Sequence, residues 1–423
     1  MNIETKSALE LVDPDVKELI PRDYWLGKPD IALKGKRQPV RQRSDISSYQ
    51  GGSKINITVP PVMYYGKNAK LTFNGNVTPS TVPGTYDSFQ FPIQTIFSRV
   101  RVYVGSDLVE DIESYDALVA AMSQSWASTL KGDSKFNFDE GIADQTLRHL
   151  YSGNNLRYSV DLRLDSLNGF LPLEFMGKAL RIELTLNRPA DCLESDAAAP
   201  DATYELTEVY LEYHKMTLNQ DFRKMLIDSI NAGTYVVPYT SWAHFENQWS
   251  GNAFQTEIPS RYRNILRFLG MQREATAIGS WQLDSFTRYA IINYTSLSLK
   301  INNVLYPEDK NTSLASDPFQ STLARDYNVV MNKWSKSLAR QGDSLQYFDP
   351  GPLERAIVAF DLREDVDDAH EVYANGVDTS RAGSSYVFQL TSSVAEPQTQ
   401  INTYTQYEST MKITAGGNVE IVY

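Results

Sequence analysis

The chain has 423 residues, more than one ordinary core accommodates, so its length predicts two or three compact units, and two is our working number. The composition, 42% hydrophobic and 22% charged, excludes broad disorder, and the 25 tyrosines and 17 phenylalanines favour β structure. A net charge of −12 disfavours nucleic-acid binding over most of the surface, because that surface repels phosphate.

The cysteine content and the hydropathy pattern indicate the cellular compartment in which the protein folds. The single cysteine, Cys192, cannot form an internal disulfide, and its acidic, Ala-rich surroundings favour an incidental role. The first thirty residues lack an apolar core preceded by basic residues, and no window approaches the roughly 20 apolar residues of a membrane span. We therefore expect a protein that is made and folded in a cytosol and is not integral to a membrane.

The N-terminal fifty residues differ from the rest of the chain. Residues 13–20 are compatible with a short helix that has Pro14 in its first turn. Five basic residues then fall within ten positions, namely Lys34, Lys36, Arg37, Arg41 and Arg43. Two interpretations are open: a solvated arm, or an arm that contacts anionic lipid headgroups, nucleic acid or an acidic neighbour.

From residue 53 onward the pattern is that of short strands. Apolar and polar residues alternate over residues 55–59, 98–105, 156–164 and 180–186, which is typical of half-buried β-strands. Residues 115–126 are instead helical in period and composition. The pattern predicts one domain of about eight strands with an inserted helix.

Residues 201–273 close this domain and open a second one. Alternation over 202–216 predicts a long strand, residues 219–230 predict an amphipathic helix that ends before Gly233, and strand-like sequence resumes at residue 235. The predicted limits are an N-terminal arm over 1–52, a first β-domain over 53–217, a connecting helix over 218–233 and a second β-domain over 234–423.

The second half repeats the plan of the first. Residues 297–306 match 100–109 in pattern, and each half then predicts a helix that ends near a tryptophan, Trp126 or Trp334. Equivalent points are about 200 residues apart, which indicates a domain duplication rather than a solenoid, whose period is about 20 to 50 residues.

The sequence shows no group of residues with the spacing of a known catalytic or metal site. The four histidines, His149, His214, His244 and His370, lack a neighbouring Cys or His at metal-ligand spacing, and the acidic run 361–368 departs from the calcium-loop pattern. Phosphate-binding Gly-rich loops and the nucleophile elbow are absent from the sequence. We predict no catalytic residue, no metal site, no cofactor and no enzyme activity.

An eight-stranded antiparallel domain with Pro/Gly/Thr-rich loops is typical of a jelly roll, a closed form of β-sandwich. Two in tandem, with a helix in the same loop of each, resemble the double jelly-roll major capsid proteins of tailless icosahedral DNA viruses. That lineage includes adenoviruses, membrane-containing phages, virophages and large DNA viruses. The resemblance is carried by residues 97–100, 170–175 with 180–186, and the junction segments 235–238, 245–247 and 263–268.

The resemblance implies an all-β fold of two tandem eight-stranded antiparallel jelly rolls, with short inserted helices and an N-terminal arm. It implies a major capsid protein, located in the virion after synthesis in the host cytoplasm, that trimerises into pseudo-hexagonal capsomers and builds an icosahedral shell. The implied partners are neighbouring capsomers, minor capsid and penton proteins and, in viruses that have one, an inner membrane, without sequence-specific nucleic-acid binding.

The resemblance also gives the predicted surfaces. The arm would face the interior, with Lys34, Lys36, Arg37, Arg41 and Arg43 near an inner membrane or a neighbouring subunit. Outward loops would come from residues 76–90, 188–202, 341–353 and 375–385. Two alternatives stay open: a carbohydrate-active or carbohydrate-binding β-sandwich, and a minor capsid protein of the same fold.

Overall fold

The computed structural model describes residues 35–82, 86–123, 141–142, 148, 153–197, 200–233, 235–281, 294–302, 304–306, 357–363, 376–381 and 383–422. Antiparallel strands dominate this part of the chain. None of the helices within these ranges is both long enough and apolar enough to cross a membrane.

The first half of the chain forms two facing sheets. The strands of one sheet are β1 (Gly35–Arg43), β2 (Ser48–Gln50), β4 (Met63–Thr78), β8 (Leu156–Val160), β9 (Phe170–Pro172) and β12 (Thr203–Leu218). Those of the other are β3 (Lys54–Val59), β6 (Phe97–Val104), β7 (Asp107–Glu113) and β10 (Leu180–Leu186). A small third sheet pairs β5 (Asp87–Phe89) with β11 (Leu193–Ser195).

The order of these strands is that of a jelly roll. One sheet runs β1-β12-β4-β8, with β2 on β12 and β9 on β4, and the other runs β3-β10-β6-β7. The chain therefore crosses between the two sheets from β2 to β3, β3 to β4, β4 to β6, β7 to β8, β9 to β10 and β10 to β12. Side chains alternate as predicted: Ile182 and Leu184 are buried between the sheets, whereas Arg181 points outward.

Short helices fill the connections of the first roll. Helix α1 (Tyr115–Ser123), expected from the sequence, is buried along its whole length, because eight of its nine residues are uncharged and three are alanines. Two single-turn helices, α2 (Leu173–Met176) and α3 (Pro189–Cys192), lie in the later connections, and α4 (Gln220–Asn231) leads to the second half. The side chain of Asn219 caps α4 by accepting from the Phe222 N–H at 2.8 Å.

The second half has the same topology, built around two long strands. Its strands are β13 (Tyr235–Glu257), β14 (Ile265–Glu274), β15 (Tyr294–Ile301), β16 (Val304–Tyr306), β17 (Ile357–Asp361), β18 (Tyr386–Thr414) and β19 (Asn418–Val422). The pairing of β13 with β18 slips between Trp249 and Ala253, where Gly251 has a φ of 99° that favours glycine. On one side of this corner β18 also pairs with β14, which in turn pairs with β17. On the other side β18 pairs with β15, which in turn pairs with β16.

Each half is thus a jelly roll, which confirms the predicted fold class. Strands β6 and β15 begin at Phe97 and Tyr294, 197 positions apart, in agreement with the predicted repeat. The predicted helix before Trp334, and Trp126 at the end of the first one, lie outside the described residues. Residues 35–50, predicted as part of an arm, contribute β1 and β2 to the first roll. The other predicted domain boundaries stay predictions.

The two rolls stand side by side in the same orientation. Helix α4 joins the end of β12 to the start of β13, so both rolls begin at one end, called here the helix end. At the opposite, loop end, the first-roll connections contact each other: Asp201 accepts from the Thr81 N–H at 2.9 Å. The second roll reaches the same place, where Ser195 N–H donates to the Trp281 carbonyl at 3.0 Å.

This orientation corrects one expectation about the outward loops. The described parts of 76–90 and 188–202 lie at the loop end. The described part of 375–385 lies at the helix end, where Val377 pairs with Ile265 and Asn302 N–H donates to the Ser385 carbonyl. The four predicted loops therefore do not all lie at one end, because this connection joins β17 to the start of β18 rather than to its corner, and which of them face outward stays a prediction. Residues 341–353 lie outside the described residues.

Candidate functional site

The predicted basic residues lie mainly on an edge strand. Lys34 is outside the described residues, and the other four lie on β1, which pairs with β12 from Gly35↔Leu218 to Arg43↔Tyr210. All four side chains are exposed. Arg41 forms an ion pair with Glu212 at 2.9 Å, and the Arg37 guanidinium stacks 4.5 Å from the centre of the Tyr65 ring.

Three further cations at the helix end were missed by sequence reasoning. Lys215 on β12 pairs in register with Gln38, Lys67 lies near the start of β4, and Lys224 lies on α4. Within the described ranges, none of Lys36, Lys67, Lys215 and Lys224 takes part in an ion pair. These four lysines are called here the basic end. No sequence window reveals them, because strand pairing brings together positions up to about 190 residues apart.

A second region of interest is the contact between the two rolls, called here the seam. The first roll contributes β7, the start of α1 and the turn before β9, and the second contributes β13, β14 and β18. Tyr239 donates to the Val109 carbonyl at 2.6 Å, Tyr404 donates to the Ser114 carbonyl at 2.8 Å, and Thr240 donates to Asp165. One continuous hydrophobic core includes residues of both rolls, so the rolls are held as one body.

Two carboxyl groups are buried in the seam. Desolvation raises the pKa of Glu110 to about 8, against the opposing effect of a hydrogen bond donated by Ser166. Desolvation likewise raises the pKa of Asp116 to about 6, although the nearby Arg273 charge lowers it. Glu110 is therefore protonated at neutral pH, and its burial carries no net charge into the seam.

The loop end of the first roll is fixed by a buried ion pair. Arg148 donates to both carboxylate oxygens of Glu194, at 2.7 and 3.1 Å, and Ser88 donates to the same carboxylate at 2.9 Å. Both side chains of the ion pair are almost fully buried. The bidentate geometry ties the connection after α1 to strand β11.

Removing one partner of this pair is expected to be costly. Arg148→Met should lower the free energy of unfolding by about 3–5 kcal/mol, because Glu194 is left as an uncompensated buried charge. The double variant Arg148→Met with Glu194→Leu should recover most of that loss. Urea denaturation followed by tryptophan fluorescence measures both variants, and a double variant no more stable than the single one would contradict the argument.

The histidines and the cysteine have structural surroundings where they are described. His214 packs edge-on against Tyr65, and His244 bonds to Asn402 at 2.9 Å, while His149 and His370 lie outside the described residues. Cys192 is fully buried, and desolvation raises the pKa of its thiol far above the ordinary value. Asp361, at the start of the acidic run, is paired with Arg363 at 2.8 Å.

Comparison with known proteins defines the class of fold. No protein-family model matches the sequence, and no curated protein matches it either. Among solved structures, the Faustovirus major capsid protein superposes with a TM-score of 0.61 at 8% identity, covering 90% of this chain and 91% of that one. The VP54 protein of PBCV-1, fitted into a reconstruction of the virophage Sputnik, gives 0.58 at 11% identity and covers 92% and 97%.

A chain of the Sputnik virophage structure determined at 3.5 Å gives a TM-score of 0.57 at 12% identity, covering 100% of this chain and 93% of that one. The similarity spans both rolls rather than one. Together with the strand order, it shows that this protein has the double jelly-roll fold found in viral major capsid proteins.

Proposed function

We propose that this protein is the major capsid protein of an icosahedral virus and acts by self-association without catalysis. The observation that carries the proposal is the pair of side-by-side jelly rolls, joined through a shared core into one body. Three copies of such a body supply six similar rolls, which is the requirement for a pseudo-hexagonal building block in a closed lattice. The full-length similarity to capsid proteins of several viruses supports this role.

The charge distribution supports an orientation within the shell. We propose that the helix end faces the interior, with Lys34, Lys36, Arg37, Arg41 and Arg43 near an inner membrane or a neighbouring subunit. The loop end then faces outward, where the side chains of Asp196 and Asp201 hold the connections together and add negative charge. Neighbouring capsomers and penton proteins would contact the lateral faces.

The carbohydrate-active alternative is not favoured. A glycosidase needs two carboxyl groups that face a substrate cleft about 5–10 Å apart. Within the described residues, the carboxyl groups with strongly raised pKa values, Glu110 and Asp116, are enclosed in the seam.

The test is the mass of the purified protein in solution, measured by light scattering coupled to size exclusion. We expect a trimer of about 143 kDa, three times the 47.8 kDa chain, with no smaller folded species on dilution. Electron cryo-microscopy of assembled particles would then show which end faces inward. A stable monomer that forms no particles would contradict the proposal.

A further inference from the structure

The basic end collects positive charge on one surface of the described protein. Lys36, Lys67, Lys215 and Lys224 lie at one end of a protein whose net charge is −12, and none of them takes part in an ion pair within the described ranges. Like charges collected on one surface repel each other and attract an anionic partner. The nearby Arg223 differs, because it is paired with Glu174 at 2.7 Å.

The same surface exposes apolar side chains. Helix α4 buries Leu226 and Ile230 against the rolls, but Met225 and Ile227 on its two flanks are 40% and 36% exposed. Its outer face also carries Asp221 and Asp228. A partner that fits this surface therefore has mostly carboxylates, a few cations and some aliphatic side chains.

The N-terminal segment before Gly35 has the mixture of carboxylates, cations and aliphatic side chains that this surface requires, and it joins the described chain beside α4. Gly35 pairs with Leu218, which immediately precedes Asn219, the cap of α4. Residues 3–20 carry five carboxylates and two lysines, and the predicted helix over 13–20 adds Val16, Leu19 and Ile20. The fourteen residues between position 20 and Gly35 can span up to about 46 Å when extended, so the segment can reach all of α4.

We propose that residues 3–20 dock on the basic end of their own chain. The acidic side chains, among them Asp15 and Glu18, lie against the four lysines, Lys17 lies against the α4 carboxylates, and Leu19 contacts Met225. This contact belongs to the single chain and does not depend on the proposed role in a shell. It covers the basic end before any other anionic partner reaches it.

Cross-linking between introduced cysteines tests the contact. The only native cysteine, Cys192, is fully buried, so the maleimide reagent should not react with it. The variant with Leu19→Cys and Met225→Cys should form an intrachain link with a short bis-maleimide at least tenfold faster than the variant with Leu19→Cys and Ile278→Cys. Ile278 is a matched control, because it has the same exposure as Ile227 but lies near the loop end.

Reversing charges distinguishes a specific electrostatic contact from mere proximity of the segment to α4 along the chain. Changing Glu10, Asp15 and Glu18 to Lys should slow the Leu19–Met225 link roughly fivefold to tenfold. Adding Lys36→Glu, Lys215→Glu and Lys224→Glu to that variant should restore the rate. Salt at about 0.5 M should also slow the wild-type link, because the Debye length falls to about 4 Å.

Several outcomes would overturn the proposal. Equal linking rates for Met225 and Ile278 would mean that the segment is a tether without a docking site. Links found only between chains, seen as a doubled mass, would assign the surface to a second copy. Binding of the full chain to vesicles containing phosphatidylserine, with no intrachain link, would assign the surface to lipid.

Discussion

Gly66→Ala is expected to lower the free energy of unfolding by about 3 kcal/mol or more. A Cβ at position 66 would lie 1.6 Å from the Leu167 carbonyl oxygen and 2.6 Å from the Tyr64 hydroxyl. The backbone cannot yield easily, because the Gly66 N–H donates to the Gly169 carbonyl at 2.9 Å and thereby holds β4 against the turn before β9. Overpacking against backbone is among the few causes of such large losses. Urea denaturation measures the change.

Gly169→Ala is the matched control. Gly169 lies at the other end of the same hydrogen bond, but a Cβ there meets no atom within 4 Å. We expect its free energy of unfolding to stay within about 1 kcal/mol of the wild type. If both variants lost stability equally, the close approach of strand and turn at Gly66 would not be the cause.

Glu110→Gln is expected to change how stability depends on pH. In the folded protein the buried Glu110 has a pKa of about 8, compared with about 4.5 for an exposed glutamate. Between these values the folded state holds a proton that the unfolded state has released, so this group's contribution is full below about pH 4.5 and is lost as pH rises towards 8. Glutamine does not titrate, and the variant should gain on the order of 4 kcal/mol relative to the wild type between pH 4.5 and 8.

The measurement is the difference in unfolding free energy between variant and wild type, taken at several pH values. Asp116 contributes in the same direction in both proteins, so the difference isolates Glu110. Glu113→Gln on the same strand is the control, because Glu113 is 53% exposed beside Arg99 and its loss should cost at most about 1 kcal/mol at any pH in the range. A difference for Glu110→Gln that is independent of pH would show that the carboxyl is hydrated in the seam.

Local patterns predict secondary structure well where one face of an element is buried. Strand β10 was predictable because Leu180, Ile182 and Leu184 alternate with charged residues, and α4 because its apolar residues recur at helical spacing before Gly233. The sequence predicts an arm where strand β1 lies, because an exposed edge strand tolerates charged residues and only Val40 marks its inner face. The corner at Gly251 has no signal in the local sequence, since the pairing slip involves β18 about 145 residues later.

The all-β class, the duplication and the basic stretch follow from the amino-acid sequence alone, because alternation and spacing are properties of neighbouring residues. The folded chain, and no local pattern, brings Lys67, Lys215 and Lys224 to the same end as Lys36 and encloses Glu110 between the rolls. It also places the described part of 376–385 at the helix end. Charge clusters and pKa values depend on which distant strands become neighbours, and pairing across 100 or more residues leaves no mark in a local window.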